Sequence, residues 1–352
     1  MSELLVIDQR GDVGEAAPWV LEDGQTMRGH ESTRRIAQLR GGLMRNRGVR
    51  AIVAEASDDE LEETLKALHE PAHLAALREL LSDEPVVLPD LAPPGLAPDM
   101  AVCAGLVAAA HEGVRTAIDA ARRVLAGERF TYALCRPPGH HAGPRWVAGY
   151  CYLNNAAAAA HTLLRGGIKP VGVLDLDIHY PNGTSAIVAP ITDASLHSLH
   201  AWPVTNVAGR TVMPPTPREH VVEFSGSPSA ASYLDAVAVS VDQLAQSSEA
   251  LVLSLGYDTV AGDPHGSWDF SPSIFERIGR LLAASQMPVC VIQEGGYALD
   301  TLAACSGAFV DGLLEGDAPP PRRHVQLRRR LAPVRHREHT PRSLNAPYGD
   351  AA

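Results

Sequence analysis

The chain has 352 residues, 45% of them hydrophobic, which is enough for one large α/β domain or two ordinary ones with a sizeable core. Its formal net charge of -11 disfavours nucleic acid as a main partner and mildly favours cationic small molecules, because summed charge biases encounter. The N-terminus MSELLVIDQRGD carries acids where a secretory signal would be basic, and no segment approaches the roughly 20 apolar residues of a membrane span, so a cytoplasmic protein without membrane contact is expected.

Taken in chain order, short apolar runs rich in β-branched residues read as buried parallel strands. They are LLVI from Leu4, AIVA from Ala51, TYAL from Thr131, VGVL from Val171, LVLSL from Leu251 and VCVI from Val289. Helices are predicted between them over Cys103–Ala126, Asn154–Leu164, Ala230–Ala245, Ser273–Ala284 and Leu299–Leu314. The first carries an apolar stripe through Leu106, Ala110, Val114, Ala117, Ala121 and Val124 and stops at Gly127. This alternation predicts an α/β fold with one doubly wound parallel sheet.

The stretch from Pro203 to Pro228 reads as a long irregular loop. From Ala318 onward eight arginines face two acidic residues, so that end is +6 and the rest of the chain -17. Residues 1–317 are therefore expected to form the main folded domain and 318–352 an Arg/Pro-rich tail, disordered, an oligomer contact or an anionic anchor. Cys103, Cys135, Cys151, Cys290 and Cys305 are odd in number, form no CxxC pair and read as reduced, buried thiols.

Four polar clusters each follow a predicted strand, where open parallel sheets place ligand sites. RPPGHHA presents His140 and His141; DLDIHYPNG presents Asp175, Asp177, His179 and Asn182; GYDTVAGDPHG presents Asp258; EGGY presents Tyr297. Asp177 and His179, one residue apart on an extended segment, would point the same way, with Asp175 sharing that direction. Asp258 from another strand end would complete three protein ligands with a position left open, the mark of a catalytic zinc site. His140 and His141 would each need an acceptor, for which Asp175 and Asn182 are available. Tyr297, after two glycines, can donate its hydroxyl to a developing oxyanion.

RPPGHHA, GYCYLNNAAAAA, LDLDIHYPNGT, SLH, GYDTVAGDP and EGGY follow one another over residues 29–312. In that order they resemble the zinc-dependent histone deacetylase and acetylpolyamine amidohydrolase family. The resemblance implies a single-domain arginase/deacetylase fold: a mostly parallel central sheet of about eight strands with helices on both faces. It implies zinc held by Asp177, His179 and Asp258, His141 as general base, and His140 backed by Asp175 as its electrostatic partner. Tyr297 would polarise the acetyl carbonyl. Gly149 would accept the substrate amide N–H, Tyr150 would wall the acyl tunnel, and Ser198 and Leu199 would help Asp175 hold a structural potassium ion.

The chain departs from that family where His179-Tyr180-Pro181 replaces His-His-Gly. Asn182 and Glu294 are similar to class II and polyamine-type members, and His265 stands where an apolar pocket residue is usual, either contacting a polar substrate or capping a loop. The implied activity is hydrolysis of an acylated amine, with a small polyamine-type substrate favoured and protein acetyl-lysine as the rival. From other classes, a silent acyl-binding module and a two-manganese ureohydrolase of the same fold stay open. A homo-oligomer also stays open, and the donor set accepts iron or cobalt as well as zinc.

Overall fold

A computed structural model describes residues 3–11, 18–22, 25–202 and 219–316. The predicted tail and residues 203–218 of the predicted loop lie outside the described residues. In chain order the elements are β1 (Leu4–Asp8), β2 (Trp19–Glu22), β3 (Gln25–Arg28), α1 (Thr33–Leu43), β4 (Val49–Val53), α2 (Asp58–Leu68) and α3 (Pro71–Arg78). Next come β5 (Met100–Ala101), α4 (Ala104–Leu125), β6 (Phe130–Leu134), α5 (Asn155–Arg165), β7 (Val171–Asp175), α6 (Asn182–Val188) and β8 (Ala194–Trp202). The chain continues with β9 (Glu219–Ser225), α7 (Ala230–Ser247), β10 (Ala250–Leu255), α8 (Ser273–Ala284), β11 (Val289–Gln293) and α9 (Leu299–Glu315).

Eight strands form one sheet in the order β4-β1-β6-β11-β10-β7-β8-β9, and every pairing in it is parallel. Alternate residues of each strand face opposite cores. Leu5 and Ile7 of β1, with Val252 of β10 and Ile292 of β11, pack under α2 to α6. Leu4, Val6, Leu253 and Val291 pack under α1, α7, α8 and α9. Because both faces are covered, β6, β7, β10 and β11 are buried at every position, which is why each reads as an unbroken apolar run.

All six strands and five helices expected from the runs are present, within two residues of their expected ends. The irregular loop is corrected at its C-terminal end, where Glu219–Ser225 is strand β9 in register with β8. Neither β9, at the edge of the sheet, nor its neighbour β8 is a continuous apolar run. In β8, His197, Ser198 and His200 interrupt the pattern, and β9 is only half-buried along most of its length. A small antiparallel sheet, β3-β2-β5, stands apart from the main one. Among the described residues no helix is long and apolar enough to cross a membrane.

Candidate active site

The strands β6, β11, β10 and β7 are consecutive neighbours, so the loops leaving their carboxyl ends meet at one place. There the donor atoms of Asp177, His179 and Asp258 all lie within 4.8 Å of one another. The route differs from simple strand alternation. β7 ends at Asp175, and the chain bends through residues 177–179. In that bend the His179 backbone N–H donates to Asp177 Oδ1 at 3.0 Å, which turns the imidazole back until its Nδ1 is 2.9 Å from the same oxygen. The second carboxylate is fixed by the Ile178 N–H, which donates to Asp258 Oδ1 at 3.1 Å.

Glycines make the close approach possible. A Cβ on Gly295 would stand 2.5 Å from both Asp177 Oδ2 and Asp258 Oδ2, and one on Gly256 would collide with Asp177 Oδ2. The Gly295 N–H donates to that Asp177 oxygen at 2.9 Å. Asp258 Oδ2 is buried 3.3 Å from His179 Nδ1 but receives no aligned hydrogen bond. Burial and Asp177 push the Asp258 carboxyl up to about 7. Burial would lower His179, but the carboxylates of Asp177 and Asp258 outweigh it and hold the imidazole well above its ordinary range. The three groups thus call for a positive charge between them. An orphaned buried oxygen, an imidazole and two carboxylates in a cradle without spare volume fit a small divalent cation.

The two adjacent histidines reach the same cavity, with ring centroids 4.1 Å apart. His141 Nδ1 meets Asn182 Oδ1 at 2.7 Å, while His140 Nδ1 is 3.4 Å from Asp175 Oδ2, a charge contact whose angle falls short of a hydrogen bond. Their environments pull them apart. Burial, then His140 and His179, depress His141 well below the usual imidazole range. His140 is also desolvated, but Asp177 and Asp175 carry it up to about 10. Glu294 fixes the turn that bears both rings: its Oε2 accepts the Gly139 N–H at 2.6 Å and the His140 N–H at 3.1 Å. His140, Cys151 and Glu294 also cluster closely enough for a metal. Burial keeps the Cys151 thiol protonated and Glu294 is already engaged, so that set makes a poor ligand group.

Next to the histidines, Tyr297, Tyr150 and His265 form an aromatic cluster. The Tyr297 ring is 5.5 Å from Tyr150 and 4.8 Å from His265, and the Arg35 guanidinium covers it at 4.5 Å. Arg35 is fully buried on α1 and donates to the backbone carbonyls of Gly296 at 2.5 Å and Glu294 at 2.6 Å. Glu31 Oε1 balances the charge, accepting from Arg35 at 3.3 Å and Arg136 at 3.1 Å. Asp263 Oδ2 accepts the Tyr297 and Ala298 N–H groups at 2.6 and 3.0 Å, and its Oδ1 accepts the His265 N–H at 2.9 Å. Burial holds the Tyr297 phenol well above its ordinary pKa, so it stays a donor.

Gly149 (φ +52°) and Tyr150 (φ +69°) both sit in the left-handed region, and a Cβ on Gly149 would strike His141. The Gly149 N–H donates to Asp99 Oδ2 at 3.2 Å, and burial lifts that carboxyl to about 6. The His265 side chain reaches toward the pocket, its Nε2 lying 3.0 Å from the Tyr150 hydroxyl. Ser198 is paired in register with Asp175, and both Ser198 and Leu199 are buried one strand away from the metal-facing groups. Ser198 Oγ is taken up by His200 Nδ1 at 2.8 Å.

Sequence reasoning missed Arg35, Glu31, Asp263, Asp99 and His30, and noted Glu294 only as a family mark. The one usable signal was Asp263, inside GDPHG beside a recognised ligand. Arg35 carries none, because an arginine on a helix with a low apolar content reads as solvent-facing.

At its strand ends the parallel α/β sheet thus carries an Asp-His-Asp cluster that could hold a metal ion, paired histidines and a buried phenol close by. The family profile "Histone deacetylase domain" matches residues 30–313, and the chain belongs to that family. It is 35% identical over 238 residues to the acetylpolyamine amidohydrolase of Mycoplana ramosa, covering 63% of this chain and 66% of that one. With an acetylpolyamine amidohydrolase of Burkholderia pseudomallei it shares 36% identity over 221 residues, 58% of this chain and 62% of the other. Both alignments span just under two thirds of the relatives' lengths. A crystal structure of the acetylpolyamine aminohydrolase from Burkholderia pseudomallei superposes with a TM-score of 0.75 at 25% identity, covering 88% of this chain and 98% of that one.

Proposed function

We propose that this chain hydrolyses a small acylated amine, of the acetylpolyamine type, to a carboxylate and a free amine, with zinc held by Asp177, His179 and Asp258. The observation that carries this reading is the orphaned Asp258 Oδ2 beside His179, with the donor atoms of Asp177, His179 and Asp258 all within 4.8 Å of one another. When bound, the metal supplies the Lewis acid that polarises the acyl carbonyl and acidifies water.

The rest is the work of the chain's own side chains. His141 donates its Nδ1–H to Asn182 Oδ1, which fixes the tautomer that leaves the Nε2 lone pair free to take a proton from water and return it to the departing amine. Its depressed pKa keeps it neutral at pH 7, while His140 holds the positive charge beside it; groups pushed apart in this way divide acid and base duties. Tyr297 donates its hydroxyl to the carbonyl oxygen as charge develops there. The backbone of Gly149 and the ring of Tyr150 orient the acyl chain, and His265 meets its outer part. Asp175, Ser198 and Leu199 would hold a structural potassium ion; the buried Asp175 Oδ2, which lacks an aligned donor, supports that assignment.

A small substrate is favoured by the likeness to acetylpolyamine amidohydrolases and by the acidic body. Acetate release is measured from acetylated polyamines and from acetyl-lysine peptides, with and without chelator. Polyamine turnover that chelation abolishes is expected, with Tyr297→Phe lowering kcat by about 10²–10³. Preference for the peptides would move the assignment to a protein deacetylase. Full activity in Asp258→Ala would remove the mechanism.

A further inference from the structure

At the outer edge of the pocket three polar groups from separate loops converge. His265 Nε2 lies 3.0 Å from His30 Nδ1 and also 3.0 Å from the Tyr150 hydroxyl, while the His30 backbone N–H donates to that hydroxyl at 3.3 Å. A ring nitrogen has one in-plane lone pair or one N–H, never both. As an acceptor, Nε2 can take the phenol proton or a proton from His30; as a donor it serves one aligned partner well. No tautomer satisfies both neighbours at full strength, whereas a cation between the two rings would engage both nitrogens at once.

We propose that His30 Nδ1 and His265 Nε2 form a second metal site, for a divalent transition ion such as copper, nickel or zinc, with water completing the coordination beside Tyr150. Metal-bound imidazole must be neutral, and burial keeps His265 so by lowering its pKa to about 4. Zinc–nitrogen bonds of about 2.0–2.1 Å at a tetrahedral angle separate two nitrogens by about 3.3 Å. From the present 3.0 Å the pair needs an opening of a few tenths of an ångström and a tilt of the rings that brings both lone pairs onto one point, movements the exposed His30 can supply. Two imidazoles without a carboxylate exclude magnesium and calcium, and make this site weaker than the three-ligand one.

The location gives the site a consequence. Exposure falls from His30 through His265 to the buried Tyr150 and Tyr297, so the ion would sit at the mouth of the pocket. There it would pin His265 to the entrance and add positive charge in the path of a cationic substrate. Excess zinc is therefore a reversible inhibitor. This second claim rests on the proposed activity; the metal site itself does not.

The test is equilibrium dialysis of the protein, already loaded with one zinc, against copper, nickel, zinc and magnesium in turn. Wild type is expected to take up one further equivalent, tightest for copper and absent for magnesium. His30→Ala should take up none, and His265→Ala should match it, while His111→Ala on α4 keeps the wild-type count. A wild type that stops at one equivalent, or a His30→Ala protein that still binds two, overturns the site. In parallel, acetate release is followed against added zinc, each protein scaled to its own rate without excess zinc: half-inhibition of His30→Ala should need about tenfold more zinc than wild type. Equal inhibition of both overturns the blocking role. Failure of every acylated amine to turn over removes the proposed function, and the dialysis still decides the metal site.

Discussion

The metal-facing floor of the site hangs from two adjacent strands, β7 and β10, and its carboxylates are braced by backbone N–H groups of Ile178, His179 and Gly295. The mouth is assembled differently. Arg35 comes from α1, His30 from the turn before it, Asp99 from beside β5, Tyr150 from a left-handed turn and His265 from the loop after β10. Hydrogen bonds across more than a hundred residues of chain join them. The floor gains rigidity from neighbouring strands and glycines with no room to spare; the mouth depends on a few long-range polar contacts and can change without disturbing the metal cradle.

Substitutions in each region test that contrast. Gly295→Ala should be the most damaging, because the added methyl must displace Asp177 and Asp258. Weaker metal affinity and misplaced ligands together predict about a 10³-fold loss of acetate release, with less than one zinc per chain by elemental analysis. A full zinc count with normal turnover would show that the cradle has slack. Arg35→Met should cost on the order of 3–5 kcal/mol in urea unfolding, since it leaves the buried Glu31 leaning on Arg136 alone. It should also lower kcat through Tyr297 while the zinc count stays at one.

Asp99 sharpens the comparison through pH. Burial raises its pKa in the folded chain from 3.8 to about 6, so the folded state holds this proton more tightly than the unfolded state does. Its burial is tolerated below pH 4, and stability is lost as the pH rises through 6. Relative to wild type, Asp99→Asn should therefore gain about 3 kcal/mol at pH 8 and nothing at pH 4 in paired denaturation curves. A pH-independent difference would mean that the carboxyl is solvated. Ser57→Ala, which removes one half of the capping box with Glu60 on α2, should cost about 1 kcal/mol and leave kcat unchanged, marking the effect of stability loss alone.

The floor was legible because its chemistry is dense along the chain. Asp175, Asp177, His179 and Asn182 fall within eight residues after an unmistakable strand, and the other clusters follow equally plain strands. His179 is turned inward by a hydrogen-bonded bend just past the end of β7, where strand alternation no longer applies. The last two strands of the sheet, β8 and β9, were hidden because their histidines and glutamates break the apolar run. Arg35 was hidden more deeply, because its burial depends on Glu31, Tyr297 and two carbonyls from the far end of the domain.

Strand order in a parallel sheet is what converts scattered motifs into one site. The apolar runs and short-range spacings already specify an α/β chain, the side-chain types of a metal-dependent hydrolase and their attachment to strand ends, since these follow from local periodicity and covalent proximity. Which strands are neighbours, which arginine lies under the phenol and which two histidines meet at the entrance follow from contacts between residues far apart in the chain. No local pattern encodes those contacts, because each is settled by the joint packing of both faces of the sheet.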